Sequence, residues 1–210
     1  MPYCGTKLKD SLIGGVALLS ENKTRIINEY HDKKAKGYCN KCGKELYAKY
    51  KVMVDSEHSK ISAQIQPLIS AIPVISLQNP ANWDYEVLEM VTGQSTTGTG
   101  VVSEFTSSFI DMLGRQSGRY NRKIKGGESI CFSQLRLQTL NLGGNAVIAA
   151  DIDYSEVGGE KGMLMVCMAG TAIRLKNLEI LGEQKADAIQ ELCSLKERLS
   201  TLNQHDTQEF

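Results

Sequence analysis

Alternation of apolar and polar positions is clearest in two runs, residues 145–154 and 163–174, joined by Ser155-Glu156-Val157-Gly158-Gly159-Glu160-Lys161-Gly162. Glycines and alternating charges in that joint supply turn conformations and no core, so the spacing predicts a β-hairpin with a buried face on each arm. Residues 84–93 alternate in the same way and predict a further strand, followed by a run rich in glycine and hydroxyls at 92–100. Such a loop can cradle an anion, but it matches neither a P-loop nor a dinucleotide fingerprint. Phe105, Phe109, Met112 and Leu113 recur at helical spacing and predict a helix over 103–113; a longer one is expected over about 128–142, stopped by Gly143-Gly144. The order β-α-α-β-β predicts an α+β fold of two layers, one helical and one a sheet.

Outside that block the periodicity is helical or absent. Ser20 is placed as an N-cap for a helix over 20–30, with Glu21 in its first turn. Ile61, Ile65, Leu68 and Ile72 share a face of a helix over 56–72, which Pro67 is expected to kink or end, and Pro73 and Pro80 then mark entry to the second domain. In the tail, Leu178, Leu181, Lys185, Ala188, Leu192, Leu195, Leu199 and Leu202 fall at spacings of three and four. That seam predicts a helix that either packs on its own domain or zips with a neighbouring copy, with Lys185 as its one misfit. The divisions expected are a cysteine module at 1–51, a connector at 52–73, the α+β domain at 74–176, a C-terminal amphipathic helix at 177–203 and a disordered tail at 204–210.

Charge narrows the partners. The 24 basic and 24 acidic side chains cancel, so no overall field draws the chain to nucleic acid or membrane. Lys33, Lys34, Lys36, Lys41, Lys44 and Lys49 do gather near the cysteine module, but Tyr38, Tyr47 and Tyr50 are the sole aromatics among them. A solvated basic face is the plainer reading, with a nucleic-acid-binding ribbon as the alternative. No apolar run approaches the ~18 residues of a membrane span, and a cytoplasmic protein is expected.

Six cysteines carry the most specific chemistry. Cys131, Cys167 and Cys193 lie singly in apolar or helical patterns, whereas Cys39-Asn40-Lys41-Cys42-Gly43-Lys44 has the spacing of a zinc knuckle. Two thiolates at C-x-x-C reach one tetrahedral ion, and the glycine after them lets backbone N–H groups turn toward sulfur. Cys4-Gly5-Thr6-Lys7-Leu8 parallels Cys42-Gly43-Lys44-Glu45-Leu46, so the module resembles a zinc ribbon, which carries C-x-x-C-G at both ends. Met1 stands where the first cysteine belongs, leaving Cys4, Cys39 and Cys42 as thiolate ligands of zinc. His31 is the fourth ligand adopted here; His58, a water, the terminal amine or a thioether are alternatives. A thioredoxin-like redox reading of C-x-x-C is weaker, because no βαβ pattern surrounds it.

Asp151 and Asp153 share one face of their strand, which is either a hydrated end or a site. At this point the motifs become recognisable. Val91-Thr92-Gly93, Gly114-Arg115-Gln116-Ser117-Gly118-Arg119-Tyr120, Leu142-Gly143-Gly144-Asn145-Ala146-Val147, Asp151-Ile152-Asp153-Tyr154 and Met163-Leu164-Met165-Val166 through Gly170-Thr171-Ala172 resemble, in order, the YbjQ family. The resemblance covers about residues 74–175 and implies a dodecin-like α+β subunit that assembles as a homopentamer, from a bacterium or archaeon. Gly126-Gly127 departs from its pattern and is expected to delay the second helix. In a ring, Arg115 and Arg119 are expected to pair with Asp151 or Asp153 across an interface, with a hard-cation or phosphate site as the alternative. The reading is a non-enzymatic, oligomeric metal-binding or scaffold protein whose partners are its own copies and, for the knuckle, a protein. A metal-dependent hydrolase using Asp151 and Asp153 is the alternative, weakened by the lack of any histidine in the resembling segment.

Overall fold

The computed structural model describes residues 3–5, 17–97, 119–157 and 163–204. The chain divides into two compact units, Gln66–Ser194 and Met1–Ile65 with Leu195–Phe210. The expected helix at 103–113, Arg115, the end of the loop at 92–100, the hairpin joint at 158–162 and tail residues 205–210 lie outside the described residues.

In the larger unit, strands β1 (Tyr85–Thr97), β2 (Ala146–Val157) and β3 (Met163–Leu175) form an antiparallel sheet in the order β1-β3-β2. Both arms of the hairpin are where alternation put them, and β1 runs on into the hydroxyl-rich stretch that was expected to be loop. Helix Arg119–Asn141 packs on one face through Cys131 and Leu135, against Val91, Val147, Val166, Met168 and Ala172. The glycines at 126 and 127 do not delay that helix. A Cβ at Gly127 would stand 2.8 Å from Val166 Cγ2, so the missing side chain is what lets helix and sheet approach there. The helix stops as the paired glycines predicted: Gly143, at φ +76°, donates its N–H to Leu140 O, and Gly144 donates to Thr139 O, closing a Schellman cap.

One irregularity was not predictable from alternation. Between Ile148 and Asp151 the register of β2 shifts, Ala149 takes φ 52°, and the Ala149 and Ala150 N–H groups turn to Leu77 O and Ile75 O. The bulge sits opposite Gly170, where a Cβ would meet Val147 Cγ1 at 2.6 Å. Past the bulge, Ile152 pairs with Met168 and Tyr154 with Val166, which carry core side chains on the helix side. Asp151 and Asp153 therefore face away from the helix, opposite Ala169 and Cys167.

The sheet is fastened by side chains that substitute for strand partners. Asn145, buried just before β2, donates Nδ2–H to Leu175 O at 2.9 Å and accepts the Leu175 N–H at 2.7 Å. Replacing it with alanine would strand two buried backbone groups, each costing about 1–3 kcal/mol. Asn145→Ala is thus expected to lower stability by at least about 2 kcal/mol in urea unfolding. On the outer edge of β1, Gln138 brackets Thr92, accepting its N–H at 3.3 Å and donating to its carbonyl at 2.5 Å, and Gln134 accepts the Gln94 N–H. These glutamines, one helical turn apart, cover an edge that would otherwise invite pairing with another chain.

In the smaller unit, α1 (Glu21–Tyr30) begins at Ser20, whose hydroxyl accepts the Lys23 N–H, as the sequence predicted. Helix α2 (Asn40–Leu68) then takes up most of the connector expected at 52–73, with Pro67 tolerated in its last turn. A ribbon is not what these residues build: among the described residues of this unit, the β-structure is one isolated bridge, Leu18 to Cys39. With the sheet-packed helix counted as α3 (Arg119–Asn141), the C-terminal helix is α4 (Glu183–Asn203), four helices in all among the described residues. Ala186, Ile189, Leu192 and Leu202 are its buried positions, and Lys185 is exposed. The buried positions thus start one residue after the expected Lys185 and Ala188; Ala186, Ile189 and Leu192 belong to the larger unit and Leu202 to the smaller.

Arg198 ties the unit together by bonding Glu29 at 2.5 Å and Glu57 through Nε at 2.8 Å, while Tyr30 donates its hydroxyl to Glu57. The Arg198 guanidinium holds the Glu57 carboxyl below its ordinary 4.5, and burial followed by the Glu57 bond pushes the Tyr30 phenol up to about 12. A carboxyl whose folded pKa is depressed adds stability above its unfolded value and loses it as pH falls through the folded one. Melting of this unit is expected to fall below about pH 4.5, and Arg198→Met, which keeps the aliphatic stem, should flatten that dependence in pH-resolved circular dichroism.

Candidate metal centre

Cys39 immediately precedes α2 and occupies its cap position. Leu19 N–H donates to Tyr38 O and Asn40 N–H to Ala17 O, so the chain enters the helix pinned to the segment at 17–19. Cys39, 1% exposed, directs its sulfur at the first turn, where it accepts the Cys42 N–H at 3.3 Å. This is the N-cap bond usually made by a serine or aspartate oxygen. Gly43 has a different role from the one its sequence suggested. It is helical and donates its N–H to Cys39 O at 2.7 Å, and a Cβ there would run into Leu19 and stand 2.8 Å from Tyr38 Cβ. Glycine at 43 therefore serves packing beneath the centre rather than turning amides toward sulfur.

Cys4 arrives from the other end of the module. Its sulfur lies 3.6 Å from that of Cys39, and Gly5 behind it takes φ +67°, a conformation that costs a side-chain-bearing residue about 1 kcal/mol. The Sγ atoms of Cys4, Cys39 and Cys42 all lie within 4.8 Å of one another. Zinc–sulfur bonds of ~2.3 Å in a tetrahedron put neighbouring sulfurs ~3.8 Å apart, so the cluster needs little rearrangement to close on an ion. Hydrogen bonds with Cys39 and Cys4, in that order, push the Cys42 thiol up to about 11. A bound divalent ion would reverse that balance and hold all three as thiolates.

His31 does not join them. Its Nδ1 meets the Tyr50 hydroxyl at 3.0 Å and its Nε2 the Tyr3 hydroxyl at 3.2 Å, so both ring nitrogens are taken. Its effect on the centre is indirect: Tyr3 precedes Cys4, and its ring packs on Tyr38 at 4.8 Å and edge-on to His31 at 5.6 Å. His58 is likewise engaged, with Asn203 at 3.0 Å, and Met1 lies outside the described residues. The cap bond and the tyrosine frame were missed in the sequence, although Tyr3 beside Cys4 and Tyr38 beside Cys39 were a visible signal.

The lysines at 33, 34, 36, 41, 44 and 49 are all exposed, as a solvated face requires. Asp151 and Asp153 are exposed too. Asp153 accepts the Tyr154 N–H at 2.9 Å through Oδ1 and approaches the Ser155 hydroxyl at 3.5 Å through Oδ2, a local ordering of the strand. Among the described residues, the cysteine cluster is the one group of three or more potential metal ligands. Cys131 is fully buried, donates its thiol to Val166 O at 3.4 Å, and is pushed up to about 11 first by burial and then by Cys167, which keeps it a core thiol.

These features define a mixed α+β protein with a three-stranded antiparallel sheet and, outside that sheet, a three-cysteine cluster suited to a metal. Residues 74–176 match the YbjQ family, described as "putative heavy-metal-binding", and that segment is a domain of this family. It is also similar to a crystal structure of a protein of unknown function from Pediococcus pentosaceus, assigned to the DUF74 family, at 18% identity and a TM-score of 0.33 over 50% of this chain and 98% of that one. Cys4, Cys39 and Cys42 all fall outside the matched segment. Among the described residues no helix is long and apolar enough to cross a membrane.

Proposed function

We propose that this is a non-enzymatic, self-associating metal-binding protein in which Cys4, Cys39 and Cys42 hold zinc. The observation that carries the reading is the convergence of three sulfurs within 4.8 Å, contributed by two segments 35 residues apart. The donor set fits zinc or another soft ion: three thiolates, one of them already bonded to a helix N–H, in a position that a hard cation would not choose. The fourth position falls to a ligand other than His31. Elemental analysis of the full chain, purified reduced and without chelator, is expected to give about one zinc per chain. Protein that carries no metal would remove this reading.

Self-association is supported by the sheet face turned away from α3. Val87 and Met90 of β1 are 61% and 69% exposed there, and the exposed Asp151 and Asp153 lie on the same face across β3, on β2. Apolar side chains so openly exposed suit an interface between copies, in keeping with the dodecin-like ring that the family resemblance implies. Native mass spectrometry should find assemblies near five times 23.1 kDa. A monomer at micromolar concentration, or a Met90→Glu variant that assembles as well as the parent, would contradict the proposal.

A further inference from the structure

We infer that the centre is oxidation-released: hydroperoxide joins Cys4 to Cys39 as a disulfide, and the ion is set free. The inference rests on the zinc reading above and concerns how that same site is regulated.

The two sulfurs stand 3.6 Å apart with no covalent bond between them. Closing them to the ~2.05 Å of a disulfide requires a shift of about 1.5 Å, and the described residues 3–5 around Cys4 form a turn rather than a helix or strand. Access differs between the two. Cys4 is half-buried and open to a small oxidant, whereas Cys39 is 1% exposed beneath it. The division of labour follows. The Cys4 thiolate attacks one oxygen of the hydroperoxide and breaks the O–O bond; the sulfur becomes a sulfenic acid and hydroxide, or alkoxide from an organic peroxide, leaves. Cys39, whose sulfur stands 3.6 Å away, attacks that sulfur as its thiolate and expels hydroxide, forming the S–S bond. Two thiolates and one peroxide thus give a disulfide and two hydroxides, and two electrons pass from sulfur to oxygen. Cys42 remains as a single thiolate, too few ligands for a structural site. A dithiol reductant reverses the step by exchange and restores the ligand set.

The sequence makes the pairing easy to read. Trypsin cuts after Lys7, Lys36 and Lys41, so Cys4, Cys39 and Cys42 fall on three different peptides, 1–7, 37–41 and 42–44. Zinc-loaded full chain is titrated with hydrogen peroxide while a chromogenic chelator reports freed zinc and mass spectrometry maps the peptides. One zinc is expected to leave per disulfide, with 1–7 linked to 37–41, and dithiothreitol should return both the thiols and the metal-binding capacity. Zinc retained while the link forms, a link from 37–41 to 42–44 in its place, or oxidation of Cys4 to sulfinic acid with no link would each overturn the inference and leave the zinc reading standing. Reduced protein that binds no zinc at the outset would instead remove the centre itself.

Discussion

Gly93→Ala is expected to destabilise the sheet unit by about 3 kcal/mol, the upper range for overpacking a tight core. Gly93 lies in β1 opposite Met168, on the face that α3 covers. A Cβ there would stand 2.7 Å from the Cys131 carbonyl oxygen, 2.9 Å from Cys131 Cα and 2.9 Å from Leu135 Cδ1. The leucine could change rotamer, but two of the three atoms are helix backbone. Relief therefore requires α3 to lift from β1, and that would open the contacts of Val91, Cys131 and Leu135 together. The chain's single tryptophan, Trp83, packs beside the core of Ala146, Ile148, Ile173 and Leu175, so its fluorescence reports unfolding of this unit in urea. Gly126→Ala is the matched control. It lies in α3 with nothing within 4 Å of its Cβ position, so helix propensity alone acts and a gain of up to about 1 kcal/mol is expected. Two glycine-to-alanine changes of opposite sign would establish that the close approach at Gly93, and not glycine content, limits the unit. Equal midpoints for Gly93→Ala and the parent would show that the helix is not held so near the strand.

Much of this unit was legible because its signals are local and redundant. Alternation marked both hairpin arms, Gly143-Gly144 marked the end of α3, and Ser20 marked the start of α1; each is a choice that neighbouring residues decide. The remaining features are decided by long-range contacts. Cys39-x-x-Cys42-Gly43 carries the spacing of a knuckle whether it sits on a ribbon or caps a helix, and nothing local shows that Gly43 is small to admit Leu19 and Tyr38. His31 has the chemistry of a ligand, but Tyr3 and Tyr50, distant in sequence, take both of its nitrogens. In α4 an apolar residue occurs near every third position, so a heptad beginning at Lys185 and Ala188 fits as well as the true stripe through Ala186 and Ile189. Only the surface that covers the helix distinguishes them. The bulge at Ala149 had no local signal beyond a glycine on the facing strand, Gly170, which sequence order alone cannot assign as its partner.

Removal of the metal is expected to give the second large effect, and Cys39→Ser separates it from the effects of folding the helix. Serine at 39 can still accept the Cys42 N–H, so the cap of α2 survives, whereas a hydroxyl is a poor zinc ligand and the centre falls to two thiols. Cys39→Ala would remove both functions and cannot tell them apart. An ion that binds the folded unit at 100 to 1,000 times its dissociation constant stabilises it by about 3–4 kcal/mol. A fall of that size in zinc-replete buffer is expected for Cys39→Ser, against a small change once chelator has stripped both proteins. The reporter lies next to the site: Tyr3 packs on Tyr38 at 4.8 Å, and Tyr30 stacks on Tyr50 at 6.1 Å, giving this unit a tyrosine signal in near-ultraviolet circular dichroism. Cys4 is tethered to Tyr3, so loss of the metal loosens the turn and with it the Tyr3 contacts. The unit keeps a core of its own in Ile26, Ile27, Tyr38 and Val54, so helix content should persist while the tyrosine signal falls. Chelator that leaves the parent's melting and tyrosine signal unchanged would mean that the three sulfurs contribute packing alone. An equal loss for Cys39→Ser with and without zinc would place the effect in the cap rather than in the metal.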